Sequence, residues 1–224
     1  ALLACQGREH EAKVLVKEYP AATGTDEERA LLDRIGIGPE ERWDWNKVAH
    51  PHRGHNFTGP EEFRLWLLDH LRGDLVRARR GNVTDPVKAA LDVLRDLRNE
   101  VRLAVDHRGL EGNSHRDELQ GWYTPLNAFL SIGPPASRLE EMIALIETRV
   151  LEVLGPSPRI TVDEVKGRFT AVSDAVPREP VTATALIEAR LPEPDLERTS
   201  DPLLRQLLAT GQCTAYSIPG EHGT

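Results

Sequence analysis

Apolar residues recur along most of this chain at the three- and four-residue spacing of a helix face. Phe63, Trp66, Leu67, His70, Leu71 and Leu75 mark one such face and predict an amphipathic helix over 60–79. Val87, Ala90, Leu91, Leu94, Leu97 and Val101 carry a second stripe to about Val105, opened by Asp85 as N-cap and Pro86 at the first helical position. Residues 1–18 are helical by composition, and Pro20 to Gly24 break the run. Thr25–Glu28, Thr58–Glu61 and Ser137–Glu140 each have the form of a capping box, marking helix starts whose helices run to about Gly36, residue 79 and Thr148. The first 150 residues are therefore expected to be at least two-thirds helix, with no sheet inside 60–105.

The pattern changes near Leu154. Val150–Leu154, Arg159–Val162, Phe169–Val172 and Val181–Glu188 are short β-branched runs separated by Gly and Pro turns, which predicts strands. Asp201-Pro202 opens a last helix, Leu203 to Ala209, with Gly211 past its end. The expected architecture is α+β and mostly helical. A helical module spans 1–155, and a β-rich segment with one helix spans 156–224.

Composition narrows the function classes. Acidic residues number 36 against 28 Lys plus Arg, a net charge of −8, which argues against non-specific nucleic-acid binding and anionic membrane surfaces. Cys5 and Cys213 are the two cysteines, so no disulfide framework is implied and a reducing, cytoplasmic setting is expected. No apolar run approaches the roughly 18 residues of a membrane span. A compact chain of 25.0 kDa exposes roughly 10,000 Å². The chain opens on Ala1-Leu2-Leu3-Ala4, with no cap, and closes on the loop-like Ile218–Thr224. Both ends read as the interior of something larger, so a piece of a longer protein is expected.

Candidate chemistry is sparse. His50-Pro51-His52-Arg53-Gly54-His55 is the one histidine cluster, open to a metal-dependent hydrolase reading if the loop curls, or to a polar surface loop. There is no Gly-x-Ser-x-Gly elbow, no phosphate loop and no Gly-x-Gly-x-x-Gly fingerprint. Arg95, Arg98 and Arg102 share one side of a helix and offer either an anion clamp or a salt-bridged exposed face. Gly121–Pro135 packs aromatics, amides, hydroxyls and prolines into one run, expected to be a stiff loop. Within it Trp122, Tyr123 and Asn127 suit a pocket wall facing a shared cavity, with Arg102 as anion anchor; the alternative is a core-filling loop.

Asn99–His107, Gly121–Pro135, Glu140–Glu147, Thr184–Leu196 and Asp201–Gly211 together resemble one family. It is the bacterial, often actinobacterial, FAD/NAD(P)-binding flavoproteins of the FAD-dependent urate hydroxylase and aspartate N-monooxygenase kind. The resemblance implies an internal portion of a flavin-dependent oxidoreductase, with FAD and NAD(P)H as cofactors of the full-length protein and a small organic molecule as substrate. It places the Gly-rich FAD loop outside this chain, so the isolated chain is expected to be inactive and to bind no cofactor alone. A non-catalytic helical interaction module is the competing reading.

Overall fold

In the computed structural model, residues 1–131, 133–189 and 195–220 are described. The architecture is α+β and mostly helical, and every strand among the described residues lies from Arg159 onward. Helices α1 (Leu2–Cys5), α2 (Glu9–Ala22) and α3 (Asp26–Arg34) lead, by a 3-10 turn at Pro39–Glu41, to the short α4 (Trp45–Ala49). The long α5 (Pro60–Thr84) follows, then α6 (Pro86–Asp96) and α7 (Arg98–Val105). The turn α8 (Gly112–Ser114) opens a π-helix, His115–Tyr123, that runs directly into α9 (Thr124–Ser131), and α10 (Ala136–Glu147) closes the helical part. Strands β1 (Arg159–Asp163), β2 (Arg168–Val172) and β3 (Val181–Ala183) form an antiparallel sheet in the order β1-β2-β3, and α11 (Pro202–Ala209) comes last.

Local chemistry departs from the expected pattern at several places. Asp85 caps α6 as expected, its Oδ1 accepting from the amides of Val87 and Lys88 at 3.1 and 3.0 Å. The three capping boxes are looser than their spelling. Thr25 accepts from the Glu27 amide, and Glu28 reaches back to Gly24. Thr58 donates both amide and hydroxyl to Glu62 instead of pairing with Glu61. Ser137 lies inside α10, which starts after Pro135 with no side-chain cap. Glu61 is instead held by Arg64 and Arg149, which keep its carboxyl down at about 2. The α2 helix also continues through Pro20 to Ala22, because Thr23 still donates to the Tyr19 carbonyl.

Two larger differences concern whole segments. Val150–Leu154 is not a strand. Arg149 takes a left-handed backbone, φ 61, and the amides of Val150 and Leu151 both turn back to the Leu145 carbonyl, closing α10. Their donors are spent before any strand can form. The Gly121–Pro135 run is not a loop: it is helical from Gly121 through Ser131, with Pro125 tolerated near the start of α9. Ile132, and residues 190–194 of the Thr184–Leu196 segment, lie outside the described residues.

The core sits where α10 crosses α5. Leu68 and Leu75 of α5 meet Leu139, Ile143 and Ile146 of α10, spaced three and four apart on one face. Arg72–Glu147 and Arg79–Glu140 bridge the same two helices at 2.5 and 2.6 Å, but both pairs are exposed and add little. A second cluster joins the helical part to the β segment: Phe57, Phe63 and the fully sealed Val176. These clusters are small for the length of the chain. It exposes 16615 Å², well above the roughly 10,000 Å² of a compact chain of its mass.

Gly155 is one of the glycines, with Gly109 and Gly112, where a side chain would collide. Gly155 sits at φ +134, and a Cβ there would lie 2.7 Å from Ser173 Oγ and 2.8 Å from Val176 Cγ2. Ser173 also donates to the Pro156 carbonyl at 2.5 Å, fixing the loop from the other side. Gly155→Ala should therefore lower the urea midpoint by the equivalent of about 2 kcal/mol or more, whereas Gly167→Ala, strained but open, should cost less. Equal losses at the two positions would show that φ alone matters and not the contact with Ser173 and Val176.

Candidate functional site

Two hollows bring together chemistry from distant parts of the chain. The first, about 210 Å³, lies between α7 and the π-helix. Val101, Ala104 and Val105 form its floor, and Trp122 and Tyr123 its wall. A π-helix adds a residue per turn, and such segments recur at functional sites. Here it lets two consecutive aromatics line one hollow, ring centroids 6.5 Å apart. Trp122 also meets Trp45 edge-on at 6.5 Å, and Trp45 meets Trp43 at 5.1 Å, so an aromatic path leads from the hollow across α4. The chain beyond α11 folds back to the rim: the Gly112 amide donates to the Pro219 carbonyl, and Arg108 lies 5.7 Å above the Tyr216 ring.

Among the described residues, two polar atoms here lack partners. Tyr123 Oη and Asn127 Oδ1 are both buried without a hydrogen bond, one helical turn apart. A buried unsatisfied acceptor or hydroxyl costs on the order of 1–3 kcal/mol, so each is an unusual feature in a folded chain. Asn127 is not part of the hollow's lining. Nor is Arg102, which sits exposed on α7 next to Val101; among the described residues its guanidinium has no ion pair or hydrogen bond. Of the arginine row, Arg95 is engaged by Asp92.

The second hollow, about 310 Å³, escaped sequence reasoning. Its walls are His52, Phe63 and Trp66, Phe129 of α9, and the Gly155–Ser157 turn. Ser157 has a left-handed backbone, φ 48. The legible signals were the Gly-Pro-Ser-Pro spelling at 155–158 and the histidine run, but nothing local joins them. Burial, and then the neighbouring His50, Arg53 and His55, push the His52 imidazole below its usual 6.5. His55 lies flat on Phe57, 5.7 Å between ring centroids and 9° between planes, and Trp66 stacks on His70. The histidines thus spread over an aromatic nest and do not converge. Among the described residues no group of three or more His, Cys, Asp or Glu is placed to hold a metal ion. The hydrolase reading of the His50–His55 loop has no support in this geometry.

Fold and sites define a mostly helical α+β segment with aromatic-walled hollows, and among the described residues no helix is long and apolar enough to cross a membrane. No family model matches the chain. It is 60% identical over 218 residues to an L-aspartate N-monooxygenase (nitrosuccinate-forming) of Streptomyces cremeus, a match covering 97% of this chain and 33% of that protein. It is 54% identical over 224 residues to the enzyme of the same name from Streptomyces davaonensis, covering 100% of this chain and 34% of that protein. A nitrosuccinic acid synthase of Aspergillus oryzae is 54% identical over 194 residues, 87% of this chain and 29% of that protein. The chain spans about a third of the length of the curated relatives it matches.

Proposed function

We propose that this chain is part of a flavin-dependent N-monooxygenase that oxidises the amine of L-aspartate, and that it supplies a wall of the substrate region. The observation that carries this reading is 54–60% identity over nearly all of the chain to proteins named for that reaction or its nitrosuccinate product. The proposed helical module is 1–155, with 156–224 returning toward the nucleotide-binding part.

The chain's own residues do not fit the nucleotide. No Gly-x-Gly-x-x-Gly is present, so the backbone cradle that holds a pyrophosphate at a helix N-terminus has to come from elsewhere in the longer polypeptide. FAD with NAD(P)H supplies the reducing equivalents and the activation of oxygen in this reading. What remains for this chain is recognition. L-aspartate carries two carboxylates and one ammonium. A guanidinium without an ion pair among the described residues suits a carboxylate, bidentate and permanently charged, and Arg102 offers one on the helix that floors the hollow. The unsatisfied Asn127 Oδ1 and Tyr123 Oη suit the amine, accepting its N–H groups. Trp122 and Tyr123 exclude water from that side.

The test is the longer polypeptide containing this chain, supplied with FAD, NADPH, oxygen and L-aspartate. Aspartate-dependent NADPH oxidation with formation of nitrosuccinate is the expected result. Arg102→Ala should raise KM for L-aspartate at least tenfold, and Arg102→Lys should restore part of it. A cofactor-free polypeptide that leaves L-aspartate untouched would favour the non-catalytic module.

A further inference from the structure

Among the described residues, the hollow between α7 and the π-helix has a single charged group in its lining, Glu118. Its sequence neighbour Asp117 is claimed by Arg116, through two N–H donors at 2.7 and 2.8 Å. Glu118 has no such partner. Among the described residues no Lys, Arg or His forms an ion pair with it, and its carboxylate accepts only from the Ser114 hydroxyl, at 2.5 Å. The π-helix decides what stands beside it. Where hydrogen bonds run from i to i+5, residues four and five apart share a face. Ser114 lies four positions before Glu118, Trp122 and Tyr123 four and five positions after it, and all line the hollow. The floor on α7, Val101, Ala104 and Val105, is apolar.

We propose that this hollow is an organic ammonium site, with Glu118 as the counter-ion and Trp122 and Tyr123 as the aromatic wall around the cation. A carboxylate with no cation of its own attracts positive charge and repels anions. Aromatic faces attract the same charge through their quadrupole. The buried, unpartnered Tyr123 Oη can accept one of the ammonium N–H groups, and the apolar floor takes the carbon skeleton. A hard metal ion asks for several oxygen ligands, and among the described residues no group of three or more His, Cys, Asp or Glu is placed to supply them. The volume of about 210 Å³ matches roughly seven waters at ~30 Å³ each, room for a small amine and not for a dinucleotide. That the ammonium belongs to L-aspartate rests on the monooxygenase reading above; the ammonium site itself does not.

The test uses the longer polypeptide loaded with FAD but given no NADPH, so that ligands bind and are not turned over. Calorimetry compares L-aspartate with succinate, the same dicarboxylate without the amine. Glu118→Gln should weaken L-aspartate at least tenfold and leave succinate unchanged or tighter, while Asp117→Asn changes neither. Glu118→Gln keeps the shape and an acceptor for Ser114, so the melting temperature should hold. If it does not, Glu118→Asp is read by the same comparison, and the shortened carboxylate should weaken L-aspartate and spare succinate. Equal losses for both ligands, or no loss of L-aspartate, overturns the proposal. If the polypeptide does not bind L-aspartate at all, n-butylammonium and n-butanol replace the pair. Binding of butylammonium that falls at least tenfold in Glu118→Gln, with butanol indifferent to the substitution, keeps the ammonium site and removes the aspartate reading. Butylammonium that fails to bind, or binds equally to both proteins, overturns the site as well.

Discussion

Ile146→Ala should cost about 3–4 kcal/mol, read as a fall in the urea midpoint at unchanged slope. Ile146 is 1% exposed at the centre of the α5–α10 crossing, enclosed by Leu68, Leu75, Leu139 and Ile143. Truncation there removes three carbons from a site with no solvent route for relaxation, so the transfer and cavity contributions add. The loss matters more here than in most domains. The buried apolar residues fall into small clusters, and a total stability of about 5–15 kcal/mol leaves little reserve. Leu65→Ala on the open side of α5, 55% exposed, should stay within about 0.5 kcal/mol. Comparable losses at both positions would mean that α5 is not oriented by this core.

The second large effect is expected at Asn127. In the longer polypeptide, Asn127→Ala should reduce kcat at least tenfold while the melting temperature moves by less than about 2 °C. The argument starts from the orphaned Oδ1. An acceptor buried without a partner is a standing cost to the folded chain, so its removal relieves as much as it removes. A residue kept only for stability would not be an amide there. An amide that receives an N–H of bound substrate loses that bond on truncation, and the loss appears in turnover. Tyr123→Phe isolates the neighbouring hydroxyl in the same way, since only the oxygen is deleted. If Asn127 merely fills space, the order reverses: Asn127→Ala lowers the melting temperature by several degrees and activity per folded molecule stays near normal.

Much of the architecture was legible because it is local. Asp85-Pro86 declares a helix start through one side chain and one fixed φ, and α6 begins there. The stripe over 60–79 and the β-branched runs at 159–162 and 169–172 each carry their period within a few residues, and α5, β1 and β2 follow. Asp201-Pro202 likewise opens α11.

What the sequence alone left undecided depends on partners far along the chain. Val150–Leu154 has strand composition, but its first amides are claimed by the end of α10, a competition no local window contains. Gly121–Pro135 is rich in loop residues, yet it is helical through Ser131, because packing against α4 and α6 outweighs weak propensity. Trp122 and Tyr123 meet at one hollow only because a π-helix adds a residue per turn. His52 and Gly155–Ser157, some hundred positions apart, share the other hollow because Val176 is sealed against Phe57 and Phe63. Local spacing determines which elements form. Which faces meet, and which are left bare, is set by contacts between residues distant in sequence, and those exist only once the chain has folded.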